Sequence, residues 1–139
     1  MRLRLLGRYN VSNALAAFAS CAALGVRPER IAAALSAMTA VPGRLQEVLT
    51  GRGFQVFVDY AHTHDAIQNV LGTLREITRK RLIIVFGCGG NRDNKKRPLM
   101  GAAASELADF AIVTSDNPRR EEPAAIIAQI IAGVKRRDR

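Results

Sequence analysis

The stretch RLIIVFGCGGNRDNKKRP, residues 81–98, joins a short apolar run to a glycine-rich, basic loop. The run Leu82–Phe86 ends in glycines, which is typical of a strand buried on both faces of a sheet. Glycines directly after such a strand let backbone N–H groups approach a ligand closely, and the helix that begins near Pro98 adds its positive end. The loop is therefore predicted to attract an anion. A tight turn with a solvated basic surface would give the same pattern.

Outward from this stretch, strands alternate with amphipathic helices. The pattern predicts strands over 54–60, 82–86 and 110–114 and helices over 63–77, 98–107 and 123–134, with Thr63 as a cap. Crossovers of this length imply a parallel sheet, so the fold class is α/β with a Rossmann-like, mostly parallel sheet. Ligands bind at the carboxyl edge of such a sheet, where we expect Asp59, Arg92 and Arg119 to lie together.

Before residue 43 the composition differs, because the chain there predicts two Ala-rich helices with few large side chains. Asn10, Ser12 or Asn13 can cap the first helix, which would end at Gly25, and Pro28 suits the first turn of the second. We interpret 1–42 as trailing helices of a neighbouring domain and 43–139 as the α/β domain. The last five residues, 135–139, are interpreted as a frayed basic tail.

The charge balance favours anionic partners, because 21 Lys and Arg stand against 12 Asp and Glu, for a net charge of +9. Two cysteines, Cys21 and Cys88, form no disulfide framework, which fits a reducing cytoplasm. No apolar run approaches the roughly 20 residues that span a bilayer, and no secretory leader is recognisable. We therefore expect a cytoplasmic protein without a membrane partner.

The loops at the predicted edge carry the polar chemistry. Neither G-x-x-x-x-G-K-[ST] nor G-x-G-x-x-G occurs, so a complete nucleotide phosphate cradle is missing. Asp116-Asn117-Pro118-Arg119 is either a structural turn or a rigid support from which Arg119 grips a carboxylate. Asp59 suits ribose hydroxyls and His62 a base or phosphate. With His64 they form no metal constellation, so we expect no protein-built metal site.

Five motifs in order resemble the Mur ligases, in particular the branch that adds meso-diaminopimelate to UDP-N-acetylmuramoyl-L-alanyl-D-glutamate, and the resemblance runs from about residue 7 to about residue 133. The motifs are Gly7-Arg8-Tyr9-Asn10-Val11-Ser12-Asn13, Pro42-Gly43-Arg44, Val58-Asp59-Tyr60-Ala61-His62-Thr63, the loop 87–98 with Leu99-Met100-Gly101, and Thr114-Ser115-Asp116-Asn117-Pro118-Arg119. Each alone is weak, but five in register are specific.

The resemblance implies an ATP-dependent amide ligase of peptidoglycan biosynthesis, in which the D-glutamyl carboxylate is activated as an acyl phosphate. It assigns nucleotide binding to Asn10, Asn13, Arg44, Asp59 and His62. It assigns diaminopimelate binding to Arg92, Asp116, Asn117 and Arg119. It gives no catalytic residue, and ATP with Mg²⁺ would be held mainly by a central domain.

The same resemblance implies that 1–42 are the trailing helices of the central ATP-binding domain and that 43–139 are the Mur ligase C-terminal domain, truncated at its C-terminus. The partners would be the missing N-terminal and central domains and the two substrates. We expect it to be inactive alone. Departures from the family pattern are Gln46, His64, Asn91, Asn94 and Lys95. Alternatives left open are another Mur or folylpolyglutamate-type ligase, a non-catalytic remnant, and a basic nucleic-acid-binding module. The scattered charge and scarce aromatics disfavour nucleic acid.

Overall fold

The structure is a computed structural model that describes residues 1–135. It contains two compact units, which divide after Tyr60: unit 1 is Met1–Tyr60, and unit 2 begins at Ala61. Unit 1 holds two helices and a hairpin, and unit 2 holds a parallel strand pair with three helices. The elements in chain order are α1 (Arg8–Ala23), α2 (Pro28–Ala37), β1 (Gln46–Val48), β2 (Val56–Val58), α3 (His64–Ile77), β3 (Ile83–Phe86), α4 (Lys96–Leu107), β4 (Phe110–Val113) and α5 (Pro123–Ile131).

Helix α1 begins earlier than the predicted caps. Its N-cap is Gly7, at a φ of +91°, and among residues 1–135 no side chain caps the helix. The Asn10 side chain is buried and donates backwards to the Leu6 carbonyl at 2.6 Å, so the prediction that it caps the helix is wrong. The other end agrees with the sequence, because Gly25 takes the left-handed φ of +79° that favours glycine after a helix.

The hairpin of unit 1 corrects the predicted sheet. Strand β2 is only three residues long and pairs antiparallel with β1, from Gln46 opposite Val58 to Val48 opposite Val56. The alternating pattern over 54–60 indicated a strand but carried no information about its partner, and β1 was not predicted. Asp59 extends the hairpin by accepting the Leu45 N–H at 2.7 Å.

Unit 2 contains the parallel pair that the sequence predicted. Strand β3 pairs with β4 in register from Ile83 opposite Phe110 to Phe86 opposite Val113, and α4 forms the connection between them. This confirms the α/β class. Within residues 1–135 the parallel sheet has two strands instead of the expected three.

The core of unit 2 lies among its three helices. Helix α4 contacts both α3 and α5, and it does so through small residues. Gly101 shows how close the packing is, because a Cβ at this position would lie 2.1 Å from the Ile130 carbonyl oxygen. The buried apolar side chains of these helices are Ile67, Leu71, Leu74, Met100, Ala103, Ala104, Ile126 and Ile130.

One face of the β3–β4 pair is open. Ile83 and Val85 are 50% and 62% exposed, and their partners Phe110 and Ile112 are 49% and 43% exposed. The expectation that β3 is buried on both faces is therefore wrong for the described part of the chain. The apolar run concealed an alternation, because Ile84 and Phe86 on the other face are better covered.

The C-terminal end differs from the predicted tail at its first residue. Lys135 donates its backbone N–H to the Ser105 hydroxyl at 3.1 Å, and its ammonium pairs with Glu106. The remainder of that predicted tail, 136–139, lies outside the described residues. Among residues 1–135, none of the helices is both long enough and apolar enough to cross a bilayer.

Candidate functional site

Two loops meet at the carboxyl edge of the β3–β4 pair: loop 87–95 after β3 and loop 114–122 after β4. We call them the paired loops. A Cβ on Gly87 would lie 2.5 Å from the Thr114 carbonyl oxygen, and one on Gly90 would lie 1.8 Å from that of Pro118. The Gly90 N–H donates to the Asn117 carbonyl at 3.1 Å. These glycines therefore serve loop-on-loop packing, and the Gly90 N–H is already used instead of waiting for an anion.

Three residues of the paired loops adopt left-handed backbone, with φ of +52° at Asn91, +47° at Asn117 and +55° at Arg119. Asparagine tolerates this region, whereas arginine is strained there. Two hydrogen bonds keep the backbone in this conformation. Arg119 Nη1 donates to the Gly90 carbonyl at 2.8 Å, and Asn91 Oδ1 accepts the Arg120 N–H at 3.1 Å. Asn91, a departure from the family pattern, thus has a structural part.

The four predicted diaminopimelate residues come together on the paired loops. The Cβ position of Gly89 would lie 3.9 Å from Arg92 Cγ and 4.0 Å from the Asn117 carbonyl oxygen. A Cβ on Gly87 would lie 2.8 Å from Asp116 Cβ, and Arg119 Nη1 donates to the Gly90 carbonyl. All four side chains are exposed. Two guanidinium groups at one exposed edge suit a ligand that carries a carboxylate.

Arg97 and Glu121 form an ion pair beneath this edge that the sequence did not reveal. Arg97 is fully buried, and its Nη1 and Nη2 donate to the two Glu121 carboxylate oxygens at 2.8 and 3.0 Å. The same guanidinium donates to the Gly89 carbonyl at 3.1 Å and to the Gln129 side chain at 2.8 Å. One side chain of α4 thereby joins both loops and α5.

Both members of this pair are charged across the ordinary pH range. The hydrogen bonds from Arg97, followed by the one from the Asn91 N–H, lower the pKa of Glu121 to about 2. The same pairing raises the pKa of Arg97. In the sequence, Arg97 is one more member of a basic loop, and Glu121, just before Pro123, has an ordinary explanation as an acidic residue at the positive end of a helix. The available clue was a cation at a helix N-terminus, where its charge is unfavourable.

In unit 1, the side chains of the predicted nucleotide residues Asn10 and Asn13 form a hydrogen bond. The Asn13 side-chain amide donates to Asn10 Oδ1 at 3.4 Å, while Asn10 itself bonds to Leu6. Asn10 is buried and Asn13 is exposed, so Asn10 orients Asn13 on the surface of α1.

Tyr9 lies where the charges of Asp59 and Arg44, two other predicted nucleotide residues of unit 1, affect its pKa. Burial, and then the nearby charge of Asp59, raise the pKa of Tyr9, while Arg44 acts in the opposite direction. Its hydroxyl is buried and finds no hydrogen-bond partner among residues 1–135. A buried hydroxyl that has no partner among these residues and that feels the charges of a carboxylate and a guanidinium fits a polar ligand such as a ribose. The sequence motif contained Tyr9, but nothing in the pattern marked its hydroxyl.

His62, the fifth predicted nucleotide residue, belongs to unit 2. Its carbonyl accepts the Lys96 ammonium at 2.7 Å, and the departing residue His64 lies 3.1 Å from the Asp65 carboxylate. The expected meeting of Asp59, Arg92 and Arg119 on one sheet edge is corrected: the parallel sheet brings Arg92 and Arg119 together, whereas Asp59 follows a strand of the other sheet.

Cys88 lies inside the paired loops but is not poised for chemistry. It is buried with its thiol 3.5 Å from the Met100 sulfur, and burial raises its pKa. Across the described residues, no three His, Cys, Asp or Glu side chains are grouped to hold a metal ion.

Comparison with known proteins gives this geometry a context. A family profile described as "Mur ligase, glutamate ligase domain" matches residues 43–138. A UDP-N-acetylmuramoyl-L-alanyl-D-glutamate–2,6-diaminopimelate ligase of Syntrophomonas wolfei is 52% identical over 134 residues, covering 96% of this chain and 27% of that protein. The enzyme of the same name from Geobacter metallireducens is 52% identical over 132 residues, covering 95% and 26%.

Solved structures agree on the fold. A structure of a ligase with that name shares 40% identity and a TM-score of 0.66, covering 97% of this chain and 28% of the other. Mycobacterium tuberculosis folylpolyglutamate synthase, solved with ADP and AMPPCP, shares 26% identity and a TM-score of 0.75, covering 94% and 29%.

The chain spans about a quarter of the length of the curated relatives that it matches. The family profile nevertheless covers well over half of its residues and includes both paired loops. The resemblance indicated by the five sequence motifs is thereby confirmed, and the chain belongs to the Mur ligase family, of which it carries the glutamate ligase domain.

Proposed function

We propose that the chain forms the C-terminal part of an ATP-dependent ligase that joins meso-diaminopimelate to UDP-N-acetylmuramoyl-L-alanyl-D-glutamate in cytoplasmic peptidoglycan biosynthesis. The observation that carries this proposal is the pair of guanidinium groups, Arg92 and Arg119, on one exposed edge of unit 2. Support comes from the 52% identity to relatives named as diaminopimelate ligases.

The chemistry of the substrate explains why two arginines would be needed. Diaminopimelate differs from lysine by a second carboxylate at the far end of its side chain. A guanidinium presents parallel N–H groups that match a carboxylate, and such charged hydrogen bonds are stronger than neutral ones. Arg119 already uses Nη1 on the Gly90 carbonyl, which fixes the direction of its remaining N–H groups. Asp116 and Asn117 stand beside it to receive the ammonium group.

The Mur ligase family uses ATP to form amide bonds, and we assign its nucleotide contacts in this chain to Asn10, Asn13, Arg44, Asp59 and His62. Bound ATP supplies the phosphoryl group that activates the acceptor carboxylate. The residues of unit 1 would hold the ribose and base: Asp59 accepts hydrogen bonds from hydroxyls, and Arg44 adds positive charge. Mg²⁺ would be held by the other ligase domains.

The phosphate cradle is not part of this chain, because the P-loop pattern occurs nowhere in its sequence. We therefore expect these 139 residues alone to form no tripeptide. The central and N-terminal ligase domains, with the UDP-linked dipeptide, are the partners that this proposal requires.

Titration calorimetry tests the proposal directly. The chain is titrated with meso-diaminopimelate, L-lysine and L-glutamate, and the titrations are repeated with Arg119→Ala. A control variant, Arg79→Ala, removes an exposed arginine outside the paired loops. We expect diaminopimelate to bind at least about 10-fold more tightly than lysine, because a charged hydrogen bond contributes about 1.5–3 kcal/mol.

We expect this preference to vanish in Arg119→Ala and to persist in Arg79→Ala. Equal affinity for lysine and diaminopimelate, or an unchanged preference in Arg119→Ala, would remove the proposed substrate. Binding of glutamate alone would favour the second candidate, a folylpolyglutamate-type ligase. That candidate has the higher structural similarity, with a TM-score of 0.75 against 0.66, although its 26% identity is well below the 40% of the diaminopimelate ligase.

A further inference from the structure

We propose that Arg97 and Glu121 are a positioning pair, which fixes turn 116–119 against loop 87–92 so that Arg92 and Arg119 face one ligand together. This inference rests on the proposed function, because it concerns the diaminopimelate site. Neither member belongs to the set of substrate residues, and the pair acts through the backbone that carries them.

The contacts of Arg97 connect three segments of unit 2. From the first turn of α4, its guanidinium reaches the Gly89 carbonyl in the first loop, the Glu121 carboxylate in the second and the Gln129 side chain on α5. Its side chain is completely shielded from solvent, and that of Glu121 is 28% exposed. A movement of either loop would break hydrogen bonds of the same planar group.

Glu121 carries the connection back to the loop that bears Arg92. One of its oxygens accepts both an Arg97 N–H and the backbone N–H of Asn91, the residue directly before Arg92. Its own backbone N–H donates to the Pro118 carbonyl at 3.0 Å, which closes the turn that bears Arg119. Glu121 therefore contacts the neighbours of both substrate arginines: its carboxylate holds the Asn91 N–H, and its backbone N–H holds the Pro118 carbonyl.

Stability alone is a poor reason for this arrangement. Arg97 occupies the N-terminal turn of α4, where the helix dipole opposes a cation, and its Nε is buried without a hydrogen-bond partner in the described part of the chain. Replacing a buried ion pair by apolar side chains is often neutral or stabilising. What an apolar pair cannot supply is direction: the guanidinium fork and the carboxylate fix the loops in orientation as well as distance. This also explains how Arg119 keeps its strained φ of +55°.

The test separates positioning from stability. The double variant Arg97→Met/Glu121→Gln removes both charges together, so no uncompensated charge stays buried, and the carboxamide oxygen can still accept a hydrogen bond. The control is Arg75→Met/Asp109→Asn, which removes a partly exposed ion pair of 2.8 Å at the opposite end of the same strands. Each protein is characterised by chemical denaturation, by hydrogen exchange of the Gly90 and Asn91 amides, and by calorimetry with meso-diaminopimelate.

In the Arg97/Glu121 double variant we expect the Gly90 and Asn91 amides to exchange at least 10-fold faster. We also expect diaminopimelate affinity to fall at least 10-fold, while global stability stays close to that of the control variant. Unchanged exchange and affinity in a folded double variant would overturn the inference. An equal loss of affinity in the control would also overturn it, since the effect would then follow general stability.

The two proposals fail in different ways. If the unmodified chain binds no diaminopimelate, the proposed substrate fails, and the inference is decided by the Gly90 and Asn91 amides alone. If diaminopimelate binds but the double variant binds it equally well, the proposed function stands and the positioning role fails. If the double variant does not fold, Glu121→Asp is measured in the same way, since it keeps a carboxylate to pair with Arg97 but shortens the side chain that reaches the Asn91 N–H.

Discussion

Units 1 and 2 are similar in length but are held together differently. Among the described residues, unit 2 buries eleven apolar side chains, whereas unit 1 buries three: Ala14, Ile31 and Leu45. Unit 1 relies on local hydrogen bonds, such as the one from the Leu45 N–H to Asp59. A strained backbone persists only where its surroundings over-determine it, and unit 2 supplies such surroundings for the paired loops.

The largest expected effect comes from a substitution that forces the paired loops of unit 2 apart. Gly90→Ala places a Cβ 1.8 Å from the Pro118 carbonyl oxygen, so the loops must separate. We expect the free energy of unfolding to fall by about 3 kcal/mol or more. The control is Gly53→Ala in unit 1, where a Cβ meets nothing within 4 Å. Urea denaturation followed by circular dichroism measures both variants. A fall of less than about 0.5 kcal/mol in the free energy of unfolding of Gly90→Ala would contradict the close packing of the paired loops.

The second prediction compares the cores. Met100 in α4 is 1% exposed, and Leu15 in α1 is 59% exposed. Met100→Ala should destabilise unit 2 by about 2–5 kcal/mol, because it leaves a cavity, while Leu15→Ala should stay within about 0.5 kcal/mol. The same denaturation experiment checks both. Comparable losses for the two variants would mean that unit 1 has a core as well.

A third prediction concerns acid. The pKa of Glu121 is about 2 in the fold against an ordinary value of 4.5, so the folded state binds its proton less readily than the unfolded state. The contribution of the ionised Glu121 to folding stability is complete above pH 4.5 and is lost as the pH falls through about 2. Acid denaturation between these values should be weaker in Arg97→Met/Glu121→Gln than in Arg75→Met/Asp109→Asn. Identical acid profiles would remove the pair as the cause.

The smallest expected effect lies in unit 1. Tyr9→Phe removes a buried hydroxyl that has no partner in the described structure, so stability should be unchanged or rise by about 1 kcal/mol. If the hydroxyl contacts a bound nucleotide, affinity for ATP should fall by about 10-fold, as expected for one lost hydrogen bond. Calorimetry with ATP checks this, and Tyr60→Phe, at an exposed tyrosine, is the control. A clear loss of stability in Tyr9→Phe would show that the hydroxyl has a partner.

Much of the fold could be predicted because it depends on local pattern. Thr63 caps α3 by accepting the Ala66 N–H at 3.3 Å, Pro28 opens α2, and β3 and β4 pair in parallel as the alternation of strands and helices indicated. The partner of β2 is a long-range property that no local pattern contains, and a strand of three residues gives a weak signal.

The site was predicted unevenly for a related reason. The meeting of Arg92 and Arg119 could be predicted because loops that follow parallel strands lie at one edge, whereas their proposed ligand came only from the family resemblance. Arg97 and Glu121 were not, because their importance comes from burial, and 24 residues separate them along the chain. In the sequence each had an ordinary explanation, as part of a basic loop and as a complement to a helix dipole. The same holds for the Tyr9 hydroxyl, whose isolation is visible only in three dimensions.

The open face of the β3–β4 pair determines which method can follow the thermal unfolding of this protein. Four large apolar side chains, Ile83, Val85, Phe110 and Ile112, stand in contact with water on the folded chain. Dyes that fluoresce on apolar surfaces should bind this native face, so dye-based melting curves would begin with a high signal. The chain has no tryptophan to provide an alternative intrinsic probe. Its melting is therefore best followed by far-ultraviolet circular dichroism, in dilute solution where these faces seldom meet.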